Sequence, residues 1–123
     1  MKYKTSELEG DPLDAAVAKA EGWIRIGNDW RTPKNNQFSG HHRFAVADWI
    51  PSCIWNQGGP IIERERIGFE PQQAFDVARG GLSLVEGSWH AHGGEWALNG
   101  PTPLVAAMRT YVANKFGEEV ELP

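Results

Sequence analysis

The chain of 123 residues is long enough to bury one hydrophobic core and too short to divide comfortably into two, so we expect a single domain over residues 1–123. Apolar residues make up 41% of it and charged residues 23%, which excludes the intrinsically disordered and collagen-like classes. The formal net charge of −4 and the scattered basic residues argue against binding of duplex nucleic acid, which requires clustered lysine and arginine.

The first strong helix signal lies near the N-terminus, in "GDPLDAAVAKAEG". Asp11 is a good N-cap and Gly22 can end the helix in a left-handed conformation, which predicts a helix at about 11–21. Ala16 and Ala20 share one face of it. A face of small residues indicates close packing against a sheet or against another chain, so we also expect a homo-oligomer, a two-fold dimer or higher.

Strand signals follow this helix. The alternation in "WIRIG" predicts a strand with Trp23 and either Ile24 or Ile26 in the core. The polar run "NDWRTPKNNQFSG" is typical of a loop or a hairpin arm. The next segment, "HHRFAVADWI", recovers strand character until Pro51 interrupts it.

In the second half, "PQQAFDVA" predicts one or two helical turns and "GGLSLVEGSWHAH" predicts a strand from about Leu82. The clearest element is "GPTPLVAAMRTYVANKFG": Thr102 is the N-cap, Pro103 suits the first helical position, and Gly117 closes a helix at 103–116. The tail "EEVELP" adds an edge strand. These elements together predict an α+β fold with an antiparallel sheet and two main helices.

The stretch "WNQGGPIIERE" has two interpretations. In the structural one, Gly58 and Gly59 form a bend, Pro60 makes it rigid, and a strand begins at Ile61. In the functional one, the bare glycine backbone lets a planar or phosphorylated molecule approach, the two amides contact its polar edges, and Trp55 stacks on it. No GxGxxG or GK[ST] motif accompanies the stretch, so no dinucleotide or nucleoside-triphosphate fold is indicated.

Histidines offer a weaker functional signal. His90 and His92 lie on one face of the predicted strand, a spacing that some metal enzymes use. Adjacent His41 and His42 would point to opposite faces of a strand, and no HExxH motif occurs. Ordinary solvated or hydrogen-bonded histidines are the alternative, and we predict no metal site and no cofactor. Without a GxSxG elbow or another activated nucleophile, no catalytic residue is assigned either.

Six tryptophans point to an aromatic surface. Trp23 and Trp49 lie in apolar strands and are predicted to be core residues. The others lie beside glycine, asparagine, arginine or histidine, where clefts and interfaces concentrate aromatic side chains: Trp30, Trp55, Trp89 and Trp96.

The compartment follows from two further observations. No run of about eighteen apolar residues occurs, and the N-terminus "MKYKTSELEG" lacks the apolar core of a signal peptide, so we expect no membrane anchor. Cys53 is the only cysteine and cannot form an internal disulfide. We predict a cytoplasmic protein in which Cys53 is a semi-buried small apolar residue.

Three blocks of the sequence resemble the signature blocks of the NinX family, small proteins of lambdoid and other tailed phages. They are "LEGDPLDAAVAKAEG" at 8–22, "PSCIWNQGGPIIERERI" at 51–67 and "NGPTPLVAAMRTYVANKFGEEVELP" at 99–123. The family usually carries a tryptophan at the position of Ala15, and residues 28–48 and 68–96 match no block. The resemblance implies a phage or prophage accessory protein that works in the host bacterial cytoplasm, and it implies no particular reaction.

Three functional hypotheses remain. The leading one is a non-catalytic binder of a small nucleotide-like anionic ligand, such as a sponge for a bacterial defence signal. The second is a metal-assisted hydrolase built on His90 and His92. The third is a protein-interaction module that inhibits a host protein through its aromatic surface.

The leading hypothesis places the ligand between the "WNQGGP" segment and the start of the last helix, whose N-terminus is favourable for an anion. Trp55 is expected to stack on the ligand, and Arg109, two turns into the helix, is a weaker contact. The predicted ligand-binding residues are Trp55, Asn56, Gln57, Gly58, Gly59, Pro60, Glu63, Asn99, Thr102 and Arg109.

Overall fold

The computed structural model describes residues 1–31 and 43–123. Within these ranges lie three α-helices: α1 (Gly10–Ala20), α2 (Trp55–Glu65) and α3 (Pro103–Phe116). The same ranges hold eight strands: β1 (Lys2–Lys4), β2 (Ile24–Ile26), β3 (Asp29–Arg31), β4 (Arg43–Ala45), β5 (Gly68–Asp76), β6 (Gly81–Gly93), β7 (Trp96–Gly100) and β8 (Glu119–Glu121). The strands form three small antiparallel sheets, so the predicted α+β class is confirmed.

Helix α3 is the centre of the fold and matches its predicted bounds. Thr102 is its N-cap and Pro103 its first residue, and Gly117 follows the last turn with a φ of 86°. Most of the helix between Leu104 and Ala113 is buried, because α3 contacts α1, α2 and all three strands of the sheet β5-β6-β7. A helix that is covered on all sides carries apolar residues around its whole circumference, and α3 follows that rule.

The sheet β5-β6-β7 supplies one wall of this core. Ala91 on β6 is fully buried and faces α3, where its carbonyl accepts a hydrogen bond from Thr110 Oγ1 at 3.5 Å. His90 pairs in register with Glu70 on β5 and with Asn99 on β7. Since side chains alternate along a strand and cross-strand partners share a face, these three side chains lie on the face away from α3.

The helical turns predicted for residues 71–78 are wrong. The segment continues β5 and then enters the turn to β6, with Phe75 in register with Leu82. The predicted strand from about Leu82 is confirmed, since β6 runs from Gly81. Pairing along this hairpin overrides the weak local helix signal, as sheet context commonly does.

The smaller sheets confirm two predicted strands and correct one prediction about the core. The tail forms β8 against β1, and "WIRIG" contains β2. Ile24 and Ile26 are each 47% exposed, so the expectation that one of them lies in the core is wrong. Trp30 on β3 is buried instead, and Trp23 packs against Trp49 with ring centroids 5.8 Å apart.

Helix α1 begins at Gly10, so Asp11 lies in its first turn and is not the N-cap as predicted. Ala16 is fully buried in the core and Ala20 packs against it, which means that the small-residue face is used within the chain. The face therefore gives no ground for an oligomer. Cys53 is exposed, contrary to the expectation that it is semi-buried.

Candidate functional site

The segment predicted as a glycine-rich loop is helix α2, and the loop prediction is wrong. Trp55 is its first residue, and Pro60 lies inside the helix. Ile61, expected to begin a strand, is a helix residue that is 2% exposed in the core. Gly58, Gly59 and Pro60 are residue types that favour turns, but this segment is helical.

Close packing explains the first glycine of the pair. A Cβ atom built on Gly58 would lie 2.5 Å from the carbonyl oxygen of Pro51 and 2.7 Å from Leu104 Cδ2. Gly59, by contrast, faces open space. Gly58 therefore contacts Leu104 at the start of α3 through protein atoms, which leaves no space for a ligand at this point.

Gln57 also has a structural role. Its Oε1 accepts a hydrogen bond from the Ile50 backbone N–H at 2.8 Å, and its Nε2 donates to the Asp48 carbonyl at 2.8 Å. Both ends of the amide are thus engaged in holding the preceding turn against α2. Only the second N–H and the second lone pair of this amide remain for any other partner.

Trp55 keeps the exposure that a stacking surface requires. It is 50% exposed and lies 5.7 Å from Phe69, whose ring is 6.3 Å from that of Trp89. The remaining predicted residues of this segment, Asn56, Pro60 and Glu63, are exposed on α2. An aromatic row at the start of α2 thus replaces the predicted loop.

The start of α3 is closed by its own residues. The Thr102 side chain accepts a hydrogen bond from the Val105 N–H at 3.1 Å, and its carbonyl accepts one from the Ala106 N–H at 3.0 Å. Gly100 lies so close that a Cβ there would meet the Ala106 nitrogen at 2.6 Å. Two of the backbone donors that were predicted to bind an anion, the N–H groups of Val105 and Ala106, are therefore already engaged.

Asn99 and Arg109, the other two predicted residues, meet in a hollow at the outer edge of β7. The hollow has a volume of about 510 Å³, within the usual range for small-molecule sites. We call it the Arg109 hollow; it is lined by Ser6, Gly87, Ser88, His90, Ala97, Leu98, Asn99, Gly100, Pro101 and Arg109. No residue of α2 is among them, so the predicted site is divided between two places.

The guanidinium of Arg109 is held in a fixed position. Nε donates to the Leu8 carbonyl at 2.6 Å and Nη1 to the Asn99 carbonyl at 2.8 Å. Burial lowers the pKa of Arg109, and Glu9 and Glu7 oppose this effect, but so strong a base stays charged. Among the described residues no carboxylate lies within 4 Å of it, and Nη2 makes no hydrogen bond.

His90 is oriented by Asn99, with Nδ1 2.7 Å from Asn99 Oδ1. With that oxygen as the acceptor, the imidazole carries a proton on Nδ1 and leaves Nε2 for another partner. The same two side chains border a second hollow on the outer face of the sheet, lined also by Glu70, Gln72 and Gln73. His90 and Asn99 therefore connect a cationic hollow to a polar one.

Another hollow, with a volume of about 640 Å³, lies between α1 and the sheet β2-β3-β4. Its charged residues are Asp11, Asp14 and Arg25. Two carboxylates against one guanidinium do not suit an anionic ligand, so size alone does not make this hollow the better candidate.

The histidine pair lacks a third metal ligand in the part of the chain that the structure describes. His90 and His92 have ring centroids 6.1 Å apart on one face of β6, as predicted. No group of three or more histidine, cysteine, aspartate or glutamate side chains in the described residues is arranged to hold a metal ion. His41 and His42 lie outside the described residues.

Sequence reasoning missed Ser88 as a lining residue, although a signal for it was present. Ser88 lies two residues before His90 on the same strand, so the alternation that paired His90 with His92 also includes Ser88. Its hydroxyl donates to Gln72 Oε1 across the hairpin. By contrast, no sequence pattern links Ser6 to this hollow.

None of the helices in the described ranges combines the length and apolar character required to cross a membrane.

Comparison with known proteins gives the family. A search of curated proteins finds no match to the chain. The family model described as "Bacteriophage P22, NinX" matches residues 4–115, which cover most of the chain and all but the end of the third signature block. The chain therefore belongs to the NinX family of phage proteins.

Proposed function

We propose that this phage accessory protein is a non-catalytic binder of a small anionic ligand and that the ligand occupies the Arg109 hollow. The observation that carries the proposal is the state of Arg109. Its charge is partly withdrawn from water and held by two backbone carbonyls, with no carboxylate partner within 4 Å among the described residues. Desolvated charges are normally paired, so an anionic ligand is the natural partner of this one.

The neighbours of Arg109 suit a phosphate group. His90 lines the hollow with an imidazole that Asn99 orients, and Ser88 lines it with a hydroxyl whose proton is donated to Gln72. Gly87 is exposed and leaves the backbone accessible at the rim of the hollow. A phosphorylated small molecule fits this set of groups, and nucleotides, including the signals of bacterial defence, are the class that we propose.

The location proposed for this function is the host bacterial cytoplasm, where a phage accessory protein would meet such ligands. A binding role, in which the protein sequesters its ligand, requires only the groups described. Hydrolysis would require a metal or an activated nucleophile, and the geometry of His90 and His92 supplies neither of them by itself.

The proposal can be tested by thermal shift and calorimetric titration with inorganic phosphate, simple nucleotides and cyclic dinucleotides. Loss of a charge-assisted hydrogen bond costs about 1.5–3 kcal/mol, so Arg109→Gln should weaken binding roughly ten- to a hundredfold. His90→Gln should weaken binding less, since the glutamine amide can replace the imidazole as the hydrogen-bond partner of Asn99. Arg66→Gln removes an exposed charge outside the hollow and serves as the control.

Two results would contradict the proposal. One is a folded wild-type protein that responds to none of these phosphates. The other is binding that Arg109→Gln and His90→Gln leave unchanged. Because Arg109 also tethers Leu8 and Asn99, the His90 variant keeps the test valid if Arg109→Gln proves unstable.

Trp55 provides a second, independent candidate contact, because it is half-exposed beside Phe69. If the ligand base stacks there, Trp55→Ala should weaken binding by about 1–3 kcal/mol and leave the fold intact. If the Arg109 hollow holds the whole ligand, Trp55→Ala should bind as the wild type does. The same titrations therefore decide between the two places.

A further inference from the structure

The outer half of the β5–β6 hairpin, residues 73–84, has one strongly apolar face. We call this part of the hairpin the arm. Phe75 is in register with Leu82, and Gln73 with Leu84. Cross-strand partners and residues two apart share a face, so Phe75, Leu82 and Leu84 lie on the same side of the arm. Val77 follows in the turn.

These apolar side chains are not used by the core. Phe75 and Leu82 are each 67% exposed, Leu84 is 64% exposed and Val77 is 84% exposed. Scattered single apolar residues on a surface are ordinary, but a contiguous group of them marks an interaction site. The apolar face of the arm is thus exposed to solvent.

The opposite face of the arm is polar and satisfied within the arm. Ser83 Oγ donates to Asp76 Oδ2 at 3.0 Å, and Asp76 Oδ1 accepts from the Ala78 N–H at 3.0 Å. Arg79 pairs with the same carboxylate at 3.8 Å. Asp76 and Arg79 are the charged residues in the sequence of the arm, so its charges cancel.

We propose that the apolar face of the arm binds the same face of a second copy of this chain. A two-fold contact places identical surfaces together, so each apolar side chain meets an apolar side chain. The neutral arm makes this contact without like-charge repulsion, which matters for a chain of net charge −4. A nucleic acid would need clustered cations on this surface, and the single arginine of the arm is already paired.

The size of the arm determines how tight the dimer is. Standard stable interfaces use roughly 20–30 residues from each partner, more than residues 73–84 supply. Interfaces at the small end of the range are weak and transient. The dimer formed by the arm is therefore expected to be weak and to dissociate on dilution.

Sedimentation equilibrium of the purified protein between about 1 and 200 μM tests this proposal across the concentrations at which weak interfaces dissociate. The wild type should pass from monomer to dimer over that range. The double variant Leu82→Ser/Leu84→Ser should remain monomeric, with an association constant at least tenfold lower. Both side chains are exposed, so its circular dichroism and melting temperature should match those of the wild type.

A matched control is available on β2. Ile24 and Ile26 are also exposed apolar residues two positions apart, each 47% exposed, and Ile24→Ser/Ile26→Ser should dimerise as the wild type does. A wild type that is monomeric at 200 μM would overturn the proposal, and so would a dimer that the arm variant leaves intact. Equal weakening by the arm and control variants would also overturn it, because it would indicate general apolar association.

Discussion

Helices α3 and α2 both contain a proline and have glycine nearby, but they begin in different ways. The proline of α3 is its first residue, whereas the proline of α2 lies in its interior. Helix α3 has its own start and stop residues: Thr102 caps it, Pro103 is its first residue and Gly117 follows its end. Helix α2 begins after Ile54, which makes no side-chain cap bond, and it contains Pro60. Local signals thus define α3, and they oppose α2.

Contacts from elsewhere hold α2 in place. The Gln57 side chain makes hydrogen bonds to the backbone of Asp48 and Ile50. The Asp14 side chain accepts a hydrogen bond from the Ser52 N–H at 2.9 Å. Gly58 then packs against the Pro51 carbonyl and against Leu104 of α3. A glycine-proline segment can therefore form a helix when tertiary packing supplies the stabilisation that its local sequence lacks.

The largest expected effect separates the two glycines of α2. Gly58→Ala should lower the free energy of unfolding by about 2–3 kcal/mol, because its Cβ would overlap the Pro51 carbonyl oxygen at 2.5 Å. Gly59→Ala, in open space on the same helix, should raise it by about 0.5–1 kcal/mol through helix propensity. Chemical denaturation measures both, and equal effects would show that packing does not hold α2 at Gly58.

A smaller effect is expected at the cap of α3. Thr102→Ala should lower the free energy of unfolding by about 1 kcal/mol, because the Val105 N–H loses its partner. Thr102→Ser keeps the hydroxyl and should retain most of the stability. If urea titration gives the alanine and serine variants the same free energy of unfolding, the cap does not define the start of α3.

The smallest effect depends on pH and concerns Asp14, which anchors the segment before α2. Burial raises the pKa of Asp14, and the hydrogen bonds from Ser52 oppose that rise. Above about pH 4 the unfolded chain therefore loses this proton more readily than the folded one, so ionisation favours unfolding as the pH increases. Asparagine keeps the acceptor and does not ionise.

Relative to wild type, Asp14→Asn should therefore be more stabilising at pH 7 than at pH 4. Unfolding curves at both pH values measure this. Asp11→Asn, an exposed carboxylate on the same helix, is the control and should show a smaller change. A gain that falls as the pH rises would contradict the argument.

The candidate site was predictable only in part. Asn99 and Arg109 were predicted and do meet, but in a hollow with His90, which the sequence suggested for a different chemistry. Arg109 is placed there by the Leu8 carbonyl, 101 residues away in sequence. Trp55 remains an exposed aromatic residue as expected, on a helix in place of a loop.

Local sequence patterns were sufficient to predict the α+β class, the bounds of α3, and the strands β6 and β8. These elements follow from caps, helix-ending glycines and alternation, which act over a few residues. Only the tertiary structure decided that α2 is a helix, that residues 71–76 form a strand, and that Asn99, Arg109 and His90 share a hollow. The physical reason is that packing at Gly58, cross-strand pairing at Phe75 and the tether of Arg109 to Leu8 join residues whose proximity no local pattern encodes.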